Sequence, residues 1–297
     1  MPRAWDAFFT PEAEELLKKG IALALEEDGP ELTSRAIFTA ADRLEGVIRA
    51  KEKTFVAGLP IIPLVMEQLG APYKARFLVE EGSEVGSMTE VAVIESAAEA
   101  LLKAERVILN YITHLSGVAN LAARYARELE GTGVRLLDTR KTLPGLRWVE
   151  KYAVQLGGGL NHRMNLAEML MLKDNHIDAA GSITGACARL RASYDPCPPI
   201  EVECRTIDDV RESLACGVDR IMLDNMPEER LREALAIIPD NVEAEISGGA
   251  TLENIRSLAL ANPGKANFIS VGRLTHSAQA ADFSMVVAKA ESGEDGR

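Results

Sequence analysis

The stretch Ile200–Gly249, "IEVECRTIDDVRESLACGVDRIMLDNMPEERLREALAIIPDNVEAEISGG", decides the fold. It holds three short apolar runs, "IEVEC", "DRIMLD" and "VEAEISGG", separated by two amphipathic segments, "TIDDVRESLAC" and "PEERLREALAII". Strand-length apolar runs that alternate with helix-period segments are the pattern of parallel βα units. The same unit, roughly 20 to 30 residues long, recurs outward from about residue 130. Upstream lie "VRLLDT", "GLNHR" and "EMLMLKD", downstream lies "NFISVG", and "GLRWVEKYAVQL", "SITGACARLRAS" and "TLENIRSLAL" supply further helices. The link from "GLNHR" to "EMLMLKD" is too short for a helix. Seven strands predict an incomplete βα barrel, one strand short of a closed eight-stranded one.

In such an array the C-terminal strand ends share one mouth, where catalytic groups gather. Here those ends carry Asp138-Thr139-Arg140-Lys141, Asn161-His162-Arg163, Lys173-Asp174-Asn175, Glu203, Asp224-Asn225, Ser247-Gly248-Gly249 and Gly272. Arg140, Lys141, His162, Arg163 and Lys173 place five cationic or potentially cationic groups there, with Glu203 and Asp224 as separated carboxylates. Gly248, Gly249 and Gly272 stand in turns entering helices, where bare backbone N–H groups can hold a phosphate. Arginine forks suit carboxylates and phosphates, and lysine acts as a point charge. Glu203 and Asp224 suit either sugar hydroxyls or, through water, Mg²⁺. The combination points to a phosphorylated, carboxylated substrate pair. Interior ion pairs of Arg140 or Arg163 with Asp138 or Glu150 are the bland alternative, and a Schiff base on Lys173 is the sharp one.

Composition agrees with a small anionic ligand held locally. The chain has 297 residues, 47% hydrophobic and 26% charged, and a formal net charge of -12. An acidic surface argues against nucleic-acid binding and against attraction to an anionic membrane. No run of 18 apolar residues occurs, and "MPRAWDAFFTPEAEELLKKG" lacks the layout of a signal peptide, which predicts a cytoplasmic protein. Cys187, Cys197, Cys204 and Cys216 form no C-x-x-C pair and are expected to be reduced.

Before residue 130 the rhythm differs. "EAEELLKKGIALALEE" is helical, "LEGVIRAKEKTFVAGLP" alternates as a strand, and "YKARFLVEEGSEVGSMTEVAVIES" reads as strand, turn, strand. Helix follows from Ala97 to Leu129, with a break expected near Ser116-Gly117. An N-terminal α+β domain over 1–115, a barrel over 116–281 and a C-terminal strand in 282–297 that returns to the first domain are the expected organisation. The last residues are expected to be disordered.

The segments "AERVILNYITHLSGVA", "LLDTRKTLPGLR", "EKYAVQLGGGLNHRMNL", "MLMLKDNHI", "IEVEC", "IMLDN", "EISGGA" and "ISVGRLTHS" together resemble the quinolinate phosphoribosyltransferase family, from about Pro11 to Ser277. The resemblance implies a decarboxylating, Mg²⁺-dependent pentosyltransferase of NAD biosynthesis. It would make nicotinate mononucleotide, pyrophosphate and CO₂ from quinolinate and phosphoribosyl pyrophosphate. It also implies an N-terminal α/β sandwich domain beside the incomplete barrel, and a homodimer with shared sites. Carried onto this chain, Arg140, His162, Arg163 and Lys173 would bind the quinolinate carboxylates, with Arg106 supplied by the partner subunit. Lys141 and Lys173 would meet phosphates, Glu203 and Asp224 the ribose or its Mg²⁺ shell, and Ser247, Gly248, Gly249 and Gly272 the 5′-phosphate. Arg273 departs from the small residue common at its place, and Cys204-Arg205 from a Val or an acidic residue. A related barrel using another anionic acceptor, or a barrel that binds phosphate or forms a Schiff base without this chemistry, is the alternative.

Overall fold

The computed structural model of the chain describes residues 4–290. In chain order the elements are α1 (Ala4–Phe8), α2 (Pro11–Glu27), α3 (Leu32–Ile37), β1 (Arg43–Ala50), β2 (Thr54–Phe55), α4 (Ile61–Gln68), β3 (Tyr73–Phe77), β4 (Glu84–Val85), β5 (Glu90–Ala97) and α5 (Ala98–Leu129). Then follow β6 (Arg135–Leu137), α6 (Arg147–Leu156), β7 (Leu170–Leu172), α7 (Asp174–Ala180), α8 (Ile183–Ser193), β8 (Ile200–Cys204), α9 (Ile207–Ala215) and β9 (Arg220–Asp224). The chain ends with α10 (Glu228–Ile237), β10 (Glu243–Ser247), α11 (Ile255–Ala259), β11 (Phe268–Ser270), α12 (Arg273–His276) and β12 (Phe283–Lys289). They form two compact units. The first comprises the described residues up to Leu121, Leu143–Gly157 and those from Ser277, and the second Ala122–Thr142 with Gly158–His276.

The first unit is built on an antiparallel sheet of order β12-β1-β5-β3. β1 buries every second residue, so one face packs inward while the other keeps its polar side chains. β12 pairs with β1 from Phe283↔Ala50 to Lys289↔Leu44, so the C-terminal segment is an edge strand of this sheet. The expected disorder of the last residues concerns 291–297, which lie outside the described residues. α2 starts at Thr10, whose side chain accepts from the Ala13 N–H, followed by Pro11 in the first turn. It buries Ala13, Leu17, Ile21 and Leu25, one stripe at four-residue spacing.

Two features of this unit differ from the sequence expectation. α5 runs unbroken through Ser116-Gly117. The pair serves close packing: Ser116 Oγ accepts from the Ala57 N–H at 3.0 Å, and a Cβ on Gly117 would stand 2.1 Å from the Gln279 carbonyl oxygen. Small residues keep their helical backbone when the constraint is steric rather than conformational. The segment "GLRWVEKYAVQL", expected as a barrel helix, becomes α6 and belongs to the first unit. Its aromatic residues explain this, since the Tyr152 ring lies 5.1 Å from that of Trp5 and 5.4 Å from that of Phe8. The units therefore interleave along the chain.

The second unit holds a parallel sheet of order β6-β11-β10-β9-β8-β7. Ile221, Met222 and Leu223 of β9 and Ala244, Glu245 and Ile246 of β10 are buried in succession, as expected of strands covered on both faces. Six strands form by continuous pairing, and the expected seventh, "GLNHR", contributes only the parallel bridge Leu160↔Leu137. The ladder stops there because the next backbone donor, the His162 N–H, turns to a side chain. The His162 N–H and Asn161 Nδ2 both donate to the Asp138 carboxylate, at 2.8 and 2.7 Å. The result is a parallel α/β sheet with its seventh stave reduced to a bridge, consistent with an incomplete barrel.

Candidate active site

All strands of the second unit run in one direction, so their C-terminal residues meet on one side. A cavity of about 430 Å³ opens there, lined by Arg140, Lys141, His162, Arg163, Lys173, Glu203, Asp224, Asn225, Glu245 and Ser247 among others. A second cavity of about 280 Å³ is lined by Gly248, Gly249, Thr251, Gly272, Arg273 and His276. The two share Thr139, Lys141, Ser247 and Ser270. One elongated ligand can therefore span both. Every site residue expected at the strand ends lines one or both cavities. Arg106 does not: it is an exposed residue of α5 in the first unit.

The larger cavity is built for anions. Four fixed cations, Arg140, Lys141, Arg163 and Lys173, face two carboxylates, Glu203 and Asp224. Arg163 is braced by donating from Nη1 to the Met169 carbonyl at 2.8 Å. Its pKa is pulled below the ordinary value, first by burial and next by the Arg140 guanidinium. Arg140 keeps a buried Nε that donates to no group among the described residues. Lys173 Nζ donates to Glu203 at 3.1 Å, which orients both side chains and leaves Glu203 half engaged. Asp224 accepts from Asn225 Nδ2 at 3.0 Å.

The smaller cavity presents backbone. Gly248 and Gly249 both have positive φ, +86° and +65°, after Ser247 ends β10. A Cβ at Gly248 would stand 2.2 Å from Asn225 Oδ1, so only glycine fits beneath that amide. Lys141 is tied into this wall by its carbonyl, which accepts from Thr275 Oγ1 at 2.8 Å. A glycine turn beside a lysine is an oxyanion or phosphate cradle. Arg273 also lines it and brings one more cation.

Beneath the larger cavity lies a group that the strand-end pattern did not reveal. Glu201 and Glu245 are fully buried, and their oxygens approach His162 Nε2 at 3.0 and 3.5 Å. The signal was present: acidic residues inside "IEVEC" and "VEAEIS" break strands that should be apolar on both faces. His162 Nδ1 in turn accepts the Arg163 N–H at 2.7 Å.

Comparison with known proteins agrees with this geometry. The profile of the quinolinate phosphoribosyl transferase C-terminal domain matches residues 118–286, and that of the N-terminal domain matches 31–116. The chain is 41% identical over 257 residues to a probable nicotinate-nucleotide pyrophosphorylase [carboxylating] of Bacillus subtilis (strain 168), covering 86% of this chain and 88% of that protein. It is 36% identical over 273 residues to the nicotinate-nucleotide pyrophosphorylase [carboxylating] of Mycobacterium leprae, covering 89% and 95%. The crystal structure of NadC from Streptococcus pyogenes matches with a TM-score of 0.86 at 35% identity, over 95% of this chain and 99% of that one.

Proposed function

The chain belongs to the quinolinate phosphoribosyltransferase family, and on that premise we propose that it transfers the phosphoribosyl group of phosphoribosyl pyrophosphate to quinolinate in NAD biosynthesis. The products are nicotinate mononucleotide, pyrophosphate and CO₂. One observation carries the reading: a cation-lined cavity for a dicarboxylate joins a glycine-walled cavity for a phosphate through Lys141 and Ser247.

Loss of pyrophosphate builds positive character at the anomeric carbon, and the pyridine nitrogen must be held in line with it. Arg140 and Arg163 orient the ring by its carboxylates. Lys141 and Lys173 meet the charge that accumulates on the leaving pyrophosphate. No side-chain nucleophile is required. Once alkylated, the ring nitrogen is a cationic electron sink for the pair left on C2 when the 2-carboxylate departs as CO₂, and that pair then takes a proton from water to give the C2–H of the product. The tighter clamp belongs on the 3-carboxylate, which survives in the product. Mg²⁺ suits the donor set, because two carboxylates and substrate phosphates are its usual partners. Glu203 and Asp224 would hold it. The Lys173–Glu203 pair favours a hold through water, and the ion would neutralise phosphate charge there.

The ion pair also weighs against a Schiff base, since it occupies the amine that such a step needs. A homodimer with Arg106 delivered by the partner, and a cytoplasmic location, complete the reading. The location is supported by four cysteines that are all free thiols, as a reducing compartment keeps them. Among the described residues, no helix is long and apolar enough to cross a membrane. The deciding assay supplies purified protein with quinolinate, phosphoribosyl pyrophosphate and Mg²⁺. Pyrophosphate and CO₂ are expected in equal amounts. Pyrophosphate released only with a different acid would reassign the acceptor, and release of neither product would end the proposal.

A further inference from the structure

We propose that Cys187 and Cys216 are a reversible modification site, a dithiol that small organic disulfides oxidise to an intrachain bridge between α8 and α9. The proposal stands apart from the phosphoribosyl transfer above and needs neither of its substrates.

Position along α8 supplies the geometry. Thr184, Cys187 and Arg191 follow one another at spacings of three and four residues, so they form one stripe on that helix. Both ends of the stripe touch the end of α9. Cys216 Sγ lies 3.6 Å from Thr184 Oγ1, and Arg191 Nη2 donates to the Gly217 carbonyl at 2.9 Å. Cys187 is therefore held between two contacts to adjacent residues, and its thiol lies within hydrogen-bond reach of the Cys216 thiol. One turn back along α9, Glu212 Oε1 accepts from the Thr184 N–H and hydroxyl, at 2.8 and 2.9 Å. These bonds fix the helix pair before any sulfur–sulfur bond forms, so closure needs little backbone movement. The other two cysteines face elsewhere. Cys204 Sγ is 3.3 Å from Ser213 Oγ, and Cys197 Sγ is 3.5 Å from the Pro198 carbonyl.

The two thiols are unequal. Cys187 is 1% exposed, whereas Cys216 is half-buried and can be reached from solvent. Burial first and the Cys216 thiol next push Cys187 up to about 11, with Arg191 opposing and Glu212 adding to the rise. Cys216 is thus the attacking group and Cys187 the resolving one. The Cys216 thiolate attacks one sulfur of the small disulfide, whose S–S bond breaks, and the leaving thiolate takes up the proton that Cys216 released. Cys187 then attacks Cys216 Sγ and passes its proton to the second leaving thiolate. Two cysteine thiols lose two electrons, and one small disulfide is reduced to two thiols.

Placement decides the consequence. Cys216 ends α9 shortly before β9 begins at Arg220, so the bridge lies at the N-terminal strand ends, opposite the cation-lined cavity. Groups at that end of a βα array govern stability rather than chemistry. The loop that the bridge closes contains β8, and closing it restricts the unfolded chain.

Two readouts on the full-length protein test this. After incubation with oxidised glutathione, blocking of the remaining thiols and digestion, mass spectrometry is expected to show the Cys187 and Cys216 peptides joined by a disulfide. Dithiothreitol should return both thiols. Cys187→Ser is expected to stop at a glutathione adduct on Cys216, and Cys216→Ser to leave Cys187 a thiol at the same dose. Recovery of both thiols unmodified from the parent protein, a bridge to Cys197 or Cys204, or a bridge between two chains would overturn the proposal. The oxidised protein is expected to melt about 5 °C above the reduced one, with kcat within about twofold. An unchanged or lowered Tm would overturn the stabilising role. If the protein shows no phosphoribosyl transfer at all, the proposed function fails, while the peptide map and the melting shift still decide this inference.

Discussion

Arg140 and Arg163 raise one another's cost. Two guanidinium groups share a partly buried cavity, and the lowered pKa of Arg163 records burial first and Arg140 second. A dicarboxylate offsets both by supplying opposite charge, which makes the pair an anion receptor rather than a structural bridge. Removing one fork leaves a ligand carboxylate facing a single cation, so Arg163→Ala is expected to weaken quinolinate binding by about 2–5 kcal/mol. Titration calorimetry checks this, and Arg163→Lys should restore little, because a point charge cannot grip bidentately. Unchanged affinity would take Arg163 out of the site. These cations were legible because they interrupt apolar runs at strand ends. Glu201 and Glu245 left a weaker signal, acids in strands expected to be apolar on both faces, which alternation inside a short strand also produces at an ordinary exposed face. Their burial has a consequence for stability. Glu245 is raised from 4.5 to about 8 in the folded chain, so between those values the folded state holds a proton that the unfolded state has released. Stability from this group is therefore full below about pH 4.5 and is lost as pH rises through about 8, by on the order of 1–3 kcal/mol. Glu245→Gln should flatten that decline. A Tm–pH slope identical to that of the parent protein would show that Glu245 is already ionised.

At the scale of elements, the parallel array was readable because its strands and helices differ in both length and period. Its seventh stave is reduced to a bridge. "GLNHR" has strand composition, yet Asp138 captures the His162 N–H that would extend the ladder, and a side-chain competitor cannot be seen from periodicity. The same limit governed α5. Ser116-Gly117 looks like a helix break in isolation, and only the approach of the 279–280 backbone explains why glycine is there. That explanation has a measurable sign. At an exposed helical position Gly→Ala stabilises by about 1 kcal/mol. At Gly117 the new Cβ would lie 2.1 Å from a carbonyl oxygen, so Gly117→Ala should destabilise the protein by roughly 1–3 kcal/mol. Denaturant unfolding followed by far-UV dichroism measures it, with native helicity expected before the transition. Stabilisation instead would mean that the 277–290 segment does not press on α5.

For the whole molecule, a chain of net charge -12 sets Arg140, Lys141, Arg163 and Lys173 around one hollow. Its surface repels anions in general while the cavity attracts them locally, so selectivity for small ligands comes from charge placement rather than net charge. The one expected site residue outside the cavities is Arg106, exposed on α5. An arginine there is either a surface cation or a group presented to a second copy of the chain. Complementation separates the two. Arg106→Ala and Arg140→Ala subunits are each expected to be nearly inactive alone. If Arg106 serves the partner's cavity, a heterodimer of the two variants has one site carrying both substitutions and one site carrying neither. Heterodimers isolated through two different tags should then regain about half the parent activity. If Arg106 acts within its own subunit, each heterodimer site lacks one arginine and no activity returns, and if it acts in neither, Arg106→Ala homodimers keep the parent activity on their own. Absence of recovery, with both variants folded and dimeric, would therefore place the whole site within a single chain.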